Sequence, residues 1–505
     1  MAAATEPVRG ENFPLGVGRP PLDLSDLPEP EEVFNTPHLG TKETVTHVLG
    51  PSVIALGLSI GSGEWLLGPL AIGTEGWIGI GFVILLSILL QVFYNVEIGR
   101  YVVATGEVPA LGFGRIPPGF FIGTILAVGL FYLAFLTGGW AAAAGDSLYT
   151  LFTGDVPGDA DRTESRLLAL ACMLAVFVIT LFGQRISRTL EFANLIIVSF
   201  ILVTFVIVAV AVVPVGQWLD GLEGLVRPAL PPEGTDATLL GSIAGFAAMA
   251  SGLNYAFMNY YRDKGYGMGS RTGYIPALLS KDRGDVRPVG TTFRDTPENA
   301  GRWRRWYRFL VLDMWAVFLP GALIGIFMPG ILVRHLADTT GTAPTAETMP
   351  TYTADALRST EGELLFVWAL IVGFFVLFST QMVVFELLVR NFTDAMYGSS
   401  ARFRRLVAGD PRRVYYPFML VLVAVIGFII FQALPTSLVQ WAANMSNLAA
   451  LIMPFALMYL ISKLPGPARA HWWSYAILTL VVLFFGFFFV NFFYDQVTGD
   501  ALVTF

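Results

Sequence analysis

A chain of 505 residues that is 55% hydrophobic and 14% charged, with 40 Phe, departs far from the roughly 25% charged residues of soluble domains and reads as an integral membrane protein. Its net charge of −7 gives no support for nucleic-acid binding. The single cysteine, Cys172, lies in an apolar run, so no internal disulfide forms and no thiol site is indicated.

Residues 1–46 are Pro-rich and acidic and lack the basic start, short apolar core and small-residue cleavage site of a signal peptide. They read as a largely disordered tail. Beyond them, runs of about 20 apolar residues predict eleven spans, at 47–73, 76–97, 119–143, 166–183, 190–214, 238–260, 308–332, 364–389, 415–434, 437–462 and 471–494. With the N-terminus in the cytoplasm, the inner segments carry 26 of the 31 Lys and Arg, which sets N-in and C-out in a multi-pass protein of the plasma membrane. The outer loops are acidic, with Asp155, Asp159, Asp161, Asp220, Glu223, Asp338 and Glu347. The chain divides into a tail (1–46), a five-helix unit (47–214), an outer loop (215–237), a second five-helix unit (238–462) with a basic inner loop at 261–307, and a last helix with an external C-terminus (463–505).

Span one contains Gly57, Ser59, Gly61, Ser62 and Gly63 followed by Glu64 and Trp65. Glycine and serine hold a helix poorly, and a helix in lipid must satisfy all its backbone polar groups, so the span is predicted to break there. A carboxylate at membrane depth costs about 2.5–3.5 kcal/mol even on insertion scales and marks a pathway or a partner. Span six repeats the signal with Met249, Ala250, Ser251, Gly252 and Asn254. If spans 1–5 and 6–10 are two halves, the two interruptions fall at corresponding positions, the pattern of a transporter site in an inverted repeat. Small-residue helix packing is the plainer explanation of either stretch alone.

The other intramembrane carboxylates have basic neighbours: Glu97 has Arg100, Glu191 has Arg188, Asp313 has Arg308 and Glu386 has Arg390. Glu64 has none in its span, and its alternative role is a hydrogen bond to an amide freed by the break. In span ten, Gln440, Asn444 and Asn447 share one helix face with Ser446 nearby, and Thr380 and Gln381 in span eight are similar. Such amides line a pathway or bond neighbouring helices. Trp65, Trp140 and Tyr255 are candidate pocket walls in a chain where aromatics are abundant.

These residues resemble a family. Gly50-Pro51 followed by Gly61-Ser62-Gly63-Glu64-Trp65 is similar to the first span of the Nramp metal transporters, where Gly-Pro precedes Asp-Pro-Gly-Asn-Trp at the same spacing. Met249 to Tyr255 resembles in position that family's Met-Pro-His segment, and Asn447 to Leu457 resembles its span ten. The resemblance covers about residues 45–490. It implies an all-α, leucine-transporter-like fold of eleven transmembrane helices, two inverted five-helix repeats with helices 1 and 6 broken, and substrate held between those breaks. It implies no cofactor beyond the transported ion, with proton or sodium coupling.

The departures bear on the ligand. The family's Asp falls on Gly61, its Pro on Ser62 and its Asn on Glu64, while Gly63 and Trp65 are kept. Either Met249 keeps the family's thioether or Ala250 replaces it, and no His is present in either frame. The remaining donors are oxygens, which suit a hard ion such as Mg²⁺ or Mn²⁺ more than a soft transition metal. A small organic cation or polar solute suits them too. The substrate-binding set is Gly61, Ser62, Gly63, Glu64, Ala250, Ser251, Gly252, Asn254, Gln381, Asn444 and Asn447, with Glu64 and Met249 as metal ligands. The four histidines, His38, His47, His335 and His471, lie in the tail, at span ends or in a loop, which leaves Glu64 as the titrating candidate. The partners are an ion or small solute and the bilayer, and no motif sets an oligomeric state.

Gly57-Leu58-Ser59-Ile60-Gly61 also fits G-x-S-x-G, but no span interior supplies a histidine base for a serine nucleophile. No H-E-x-x-H or phosphate-binding loop occurs. A channel is the remaining alternative, since broken helices line channels as well.

Overall fold

A segment in lipid must pair its own amides and carbonyls, and this chain does so almost entirely with helices. The computed structural model describes residues 22–48, 52, 56, 61, 63–117, 119–181, 186–273, 287 and 289–503. Residues 57–60 and Ser62, part of the glycine- and serine-rich stretch of span one, lie outside them. Eight of the described helices are long and apolar enough to cross a membrane, and they fall on predicted spans two, three, five and seven to eleven. Span four is the more polar helix Arg162–Leu181, and spans one and six are interrupted. Large apolar side chains point outward along spans five and eleven, including Val203, Ile207, Val210, Leu480 and Leu483, as a lipid-facing belt requires.

Several boundaries differ from expectation. Span three runs on past 143 into the expected outer loop, as Phe120–Phe135 and Gly139–Thr153, and it is interrupted at 136–138. The outer loop at 215–237 contains the helix Val215–Val226, and that at 333–363 contains the end of Leu319–Thr340 and the helix Met349–Glu361. Span seven begins early: Pro297–Asp313, a π-helical turn Met314–Phe318 and Leu319–Thr340 follow one another directly. Its start has a reason in sequence, since Thr296 caps it by accepting from the Asn299 amide at 3.2 Å and Pro297 occupies the first turn.

The tail is a correction. Residues 22–46 are built into the fold, where the Pro-rich, acidic composition suggested disorder. Asp23–Ser25 pairs in parallel with Thr291–Phe293, and the helices Pro30–Phe34 and Thr41–Val48 follow. The Trp306 indole donates to the Pro28 carbonyl at 2.7 Å, Arg302 donates to the Leu27 carbonyl at 2.7 Å, and the Leu27 amide donates to Asn299 at 3.0 Å. Phe34 stacks on His47 with ring centroids 4.4 Å apart and meets Tyr266, Trp306 and Phe309 edge-on. The segment is therefore fixed by long-range partners. A Trp306→Phe variant should unfold at lower temperature, losing about 1–3 kcal/mol because the buried Pro28 carbonyl is left unpaired. Thermal unfolding in detergent reads this, and an unchanged midpoint would show that the strap contributes nothing.

Candidate functional site

Span six is broken as the Gly and Ser pattern predicts. Its first half, Ala237–Phe246, is capped by Asp236, which accepts from the Leu239 amide at 2.6 Å. The chain leaves the helix at 247–253, and the Ser251 amide returns to the Gly245 carbonyl at 2.9 Å. Gly252 has φ +70°, and a Cβ there would lie 2.0 Å from the Ala450 amide nitrogen, so this position needs glycine both for conformation and for space. Helix resumes as Asn254–Phe257 and Asn259–Asp263.

Span one departs from the α-helix at the same place in its repeat. Gly61 lies in a turn, Gly63–Leu67 forms a π-helical turn, and Gly68–Glu75 continues as α-helix. Such π turns recur at functional sites. Glycine here permits close approach. A Cβ at Gly61 would lie 1.9 Å from Thr380 Oγ1, and one at Gly63 would lie 1.7 Å from the Phe246 carbonyl oxygen. The break of span one is thus pressed against the C-terminal end of the first half of span six and against span eight. Carbonyls in a helix's last turn have no intrahelical partner and carry its negative dipole end. A polar junction of this kind attracts a cation.

Glu64 follows Gly63 in the π turn and is fully buried. Met249, Ala250, Ser251, Gly252 and Asn254 are buried at the other break. Both amide atoms of Asn254 lack a hydrogen-bond partner in the protein, which leaves them for a ligand or water.

The amides of span ten hold helices together. Asn447 donates to the Gly241 carbonyl at 2.7 Å, and its oxygen accepts the Ser251 hydroxyl at 2.7 Å. Asn444 donates to the Thr238 and Gln440 carbonyls, each at 3.0 Å. Gln381 uses its oxygen to accept the Ala141 amide at 3.2 Å, at the start of the second half of span three. Each of the three thus ties its helix to a neighbouring segment, while Gln381 Nε2 and Asn444 Oδ1 are buried without a partner in the protein.

Sequence reasoning missed a stripe on span two, the helix Ile80–Thr105. The Ser87 hydroxyl donates to the Ala244 carbonyl at 2.6 Å, and Gln91 donates to Ser87 at 3.2 Å. Gln91 Oε1, the Tyr94 hydroxyl and both amide atoms of Asn95 are buried without a protein partner. The signal was present: Ser87, Gln91 and Asn95 recur every four residues in an apolar helix, the same periodicity that drew attention to span ten.

The remaining carboxylates sort mostly as expected. Glu97 meets Arg100 at 2.7 Å and also accepts the Ser474 hydroxyl at 2.9 Å. Glu386 meets Arg390 at 2.6 Å. Asp313 is a correction: it accepts the Tyr261 hydroxyl, because a residue five positions after Arg308 lies off that residue's helix face. The side chains of Arg188 and Glu191 lie outside the described residues. Among the described residues no group of three or more His, Cys, Asp or Glu is placed to hold a metal ion. A cation at the junction would therefore rest on one carboxylate with carbonyl, hydroxyl and amide oxygens.

No family model matches the chain, and no curated protein matches it. Solved structures do. A single-substitution variant of the Eremococcus coleocola manganese transporter matches with a TM-score of 0.58 at 14% identity, over 95% of this chain and 90% of that one. The same transporter in complex with an aromatic bis-isothiourea substituted compound gives 0.54 at 14% identity over 96% and 92%. MhsT in complex with L-phenylalanine gives 0.51 at 14% identity over 86% and 98%. At such identities the shared property is the fold. The chain is an all-α membrane protein with the architecture of these proteins, in agreement with the leucine-transporter-like fold implied by its sequence.

Proposed function

We propose that this protein is an Nramp-like secondary transporter that moves a divalent cation, a hard ion such as Mg²⁺ or Mn²⁺ in preference to a soft transition metal, by alternating access around the junction of spans one and six. The observation that carries the reading is the fully buried Glu64 beside Gly63, where an added Cβ would lie 1.7 Å from the Phe246 carbonyl oxygen at the end of a broken helix. Glu64 supplies the charge, and the carbonyls at both breaks with Ser251 and Asn254 supply neutral oxygens. This set suits an ion that keeps part of its water shell. The fold likeness to a manganese transporter supports the substrate class. Met249 and Ala250 are the positions that set tolerance of softer metals. The excess of Lys and Arg in the inner segments supports an orientation in the plasma membrane with the N-terminus inside and the C-terminus outside.

Uptake of Mg²⁺, Mn²⁺, Ca²⁺ and a small amine into proteoliposomes tests the reading. Wild type is expected to accumulate Mg²⁺ or Mn²⁺ saturably. Glu64→Gln should lose about 10–100-fold of uptake at low substrate, the value of a hydrogen bond or ligand contact to a charged group of about 1.5–3 kcal/mol. If Glu64 also carries the coupling proton, the residual uptake of that variant loses the wild type's pH dependence. No divalent transport, or a Glu64→Gln variant equal to wild type, would sink the proposal.

A further inference from the structure

Span three contains a third interruption that the sequence pattern did not signal. Phe120–Phe135 ends at Leu136, Gly138 takes φ +68°, and a new helix runs over Gly139–Thr153. Gly138 is required there, because a Cβ would lie 2.3 Å from Ile426 Cγ2. The new helix begins beside the candidate site. Gln381, whose oxygen accepts the Ala141 amide, is adjacent to Thr380, and the Thr380 hydroxyl abuts Gly61. The Trp140 indole lies 6.0 Å from the ring of Phe246, the residue whose carbonyl abuts Gly63.

The unpartnered side chains at this interruption offer hydrogen-bond donors. A helix start leaves its first N–H groups without intrahelical partners, and the helix dipole places positive charge there. Gln381 Nε2 and Trp140 Nε1 are fully buried and have no partner in the protein, and the buried hydroxyl of Thr137, a residue 8% exposed, has none either. Gln381 is held at the helix start by its own oxygen, so its unpartnered NH₂ group sits at that terminus. A helix cap alone would leave no reason for a buried amide head that costs about 1–3 kcal/mol unpaired. A hydrated cation does not answer these groups, since water bound to a metal turns its hydrogens outward and needs acceptors.

We propose that the start of the second half of span three, with Gln381, Trp140 and Thr137, binds a small monovalent anion. The anion faces the donors at this third break, while the cation of the proposed transport cycle sits among the carbonyls and Glu64 at the first two. Charge of opposite sign at adjacent breaks couples the two occupancies, and such couplings are worth about 5–150-fold in affinity.

The test uses purified full-length protein at constant ionic strength with chloride or gluconate. Thermal unfolding without any divalent ion is expected to shift upward in chloride, and Mn²⁺ uptake in proteoliposomes to rise at least ~5-fold. Gln381→Glu, whose carboxylate takes the anion's place, is expected to unfold and transport independently of chloride. Thr137→Val is expected to keep the response but require more chloride. A wild type indifferent to chloride in unfolding and uptake would overturn the proposal and leave water as the occupant, as would a Gln381→Glu protein that keeps the full chloride response. Chloride-dependent unfolding without Mn²⁺ or Mg²⁺ uptake would uphold the anion site while removing the cation-transport reading.

Discussion

Gly63→Ala is expected to abolish transport while Gly129→Ala leaves it intact. A Cβ at Gly63 would lie 1.7 Å from the Phe246 carbonyl oxygen and 2.6 Å from its carbon. Both are backbone atoms, so no side chain can rotate away; one of the two breaks must move. Overpacking of this kind costs typically about 1–3 kcal/mol, occasionally more. Here the displacement also separates the Phe246 carbonyl from the break of span one, where the cation is proposed to bind. Uptake is therefore expected to fall below detection even where the variant still folds, with unfolding displaced to lower temperature. Gly129 is the contrast: nothing lies within 4 Å of its Cβ position, in the helix Phe120–Phe135. Alanine there should be neutral or stabilising by up to about 1 kcal/mol, as expected for a helix-interior glycine. Normal uptake by Gly63→Ala would mean that the contact between the two breaks is not part of the working site.

The breaks in spans one and six were legible because glycines and serines are poor helix material at membrane depth, and in span one they stand beside Glu64, a carboxylate in a span whose sequence contains no Lys or Arg. The local pairs were legible for the same reason in reverse: Glu97 with Arg100 and Glu386 with Arg390 lie three and four residues apart on one helix face. What the sequence could not place was any partner distant in the chain. Asn447 reads as a polar position on a helix face, but whether its amide lines a path or ties span ten to Gly241 and Ser251 depends on the neighbouring helix. The ordered segment 22–46 depends on Thr291–Phe293 and on Trp306, none of which is visible from its own composition. The interruption of span three was hidden differently. Thr137, Gly138 and Gly139 sit in an apolar run without a charge to draw attention, and the left-handed Gly138 is required by the packing of Ile426 against it.

Arg390→Leu is expected to leave little folded protein. The Arg390 Nε meets Glu386 at 2.6 Å, and its guanidinium also pairs with Asp263. Arg262 meets Asp263 at 2.8 Å and Asp394 at 2.9 Å, and the Tyr260 and Tyr415 hydroxyls donate to Glu386. None of the five charged side chains is more than 6% exposed. Removing one partner of such a cluster leaves uncompensated buried charge and costs about 3–5 kcal/mol, a large part of a total stability of about 5–15 kcal/mol. Arg390→Lys keeps the charge but loses the planar fork that reaches two carboxylates, so it should recover only part of the yield. An Arg390→Leu protein that unfolds at the wild-type temperature would exclude a structural role for the cluster. The same contacts also join the second half of span six, through Arg262 and Asp263, to span eight, through Glu386, Arg390 and Asp394. If that half of span six swings away when this end of the transporter opens, the cluster is what holds it shut. Asp394→Asn removes one of Arg262's two carboxylate charges and leaves the other pairs in place. With a loss of one or two kcal/mol, the open population should rise about 5–30-fold. Maleimide labelling of Asn259→Cys, a buried position in the same half-helix, reads that population in a Cys172→Ala background. Faster labelling with Asp394→Asn is the expected result, and an unchanged rate would restrict the cluster to folding.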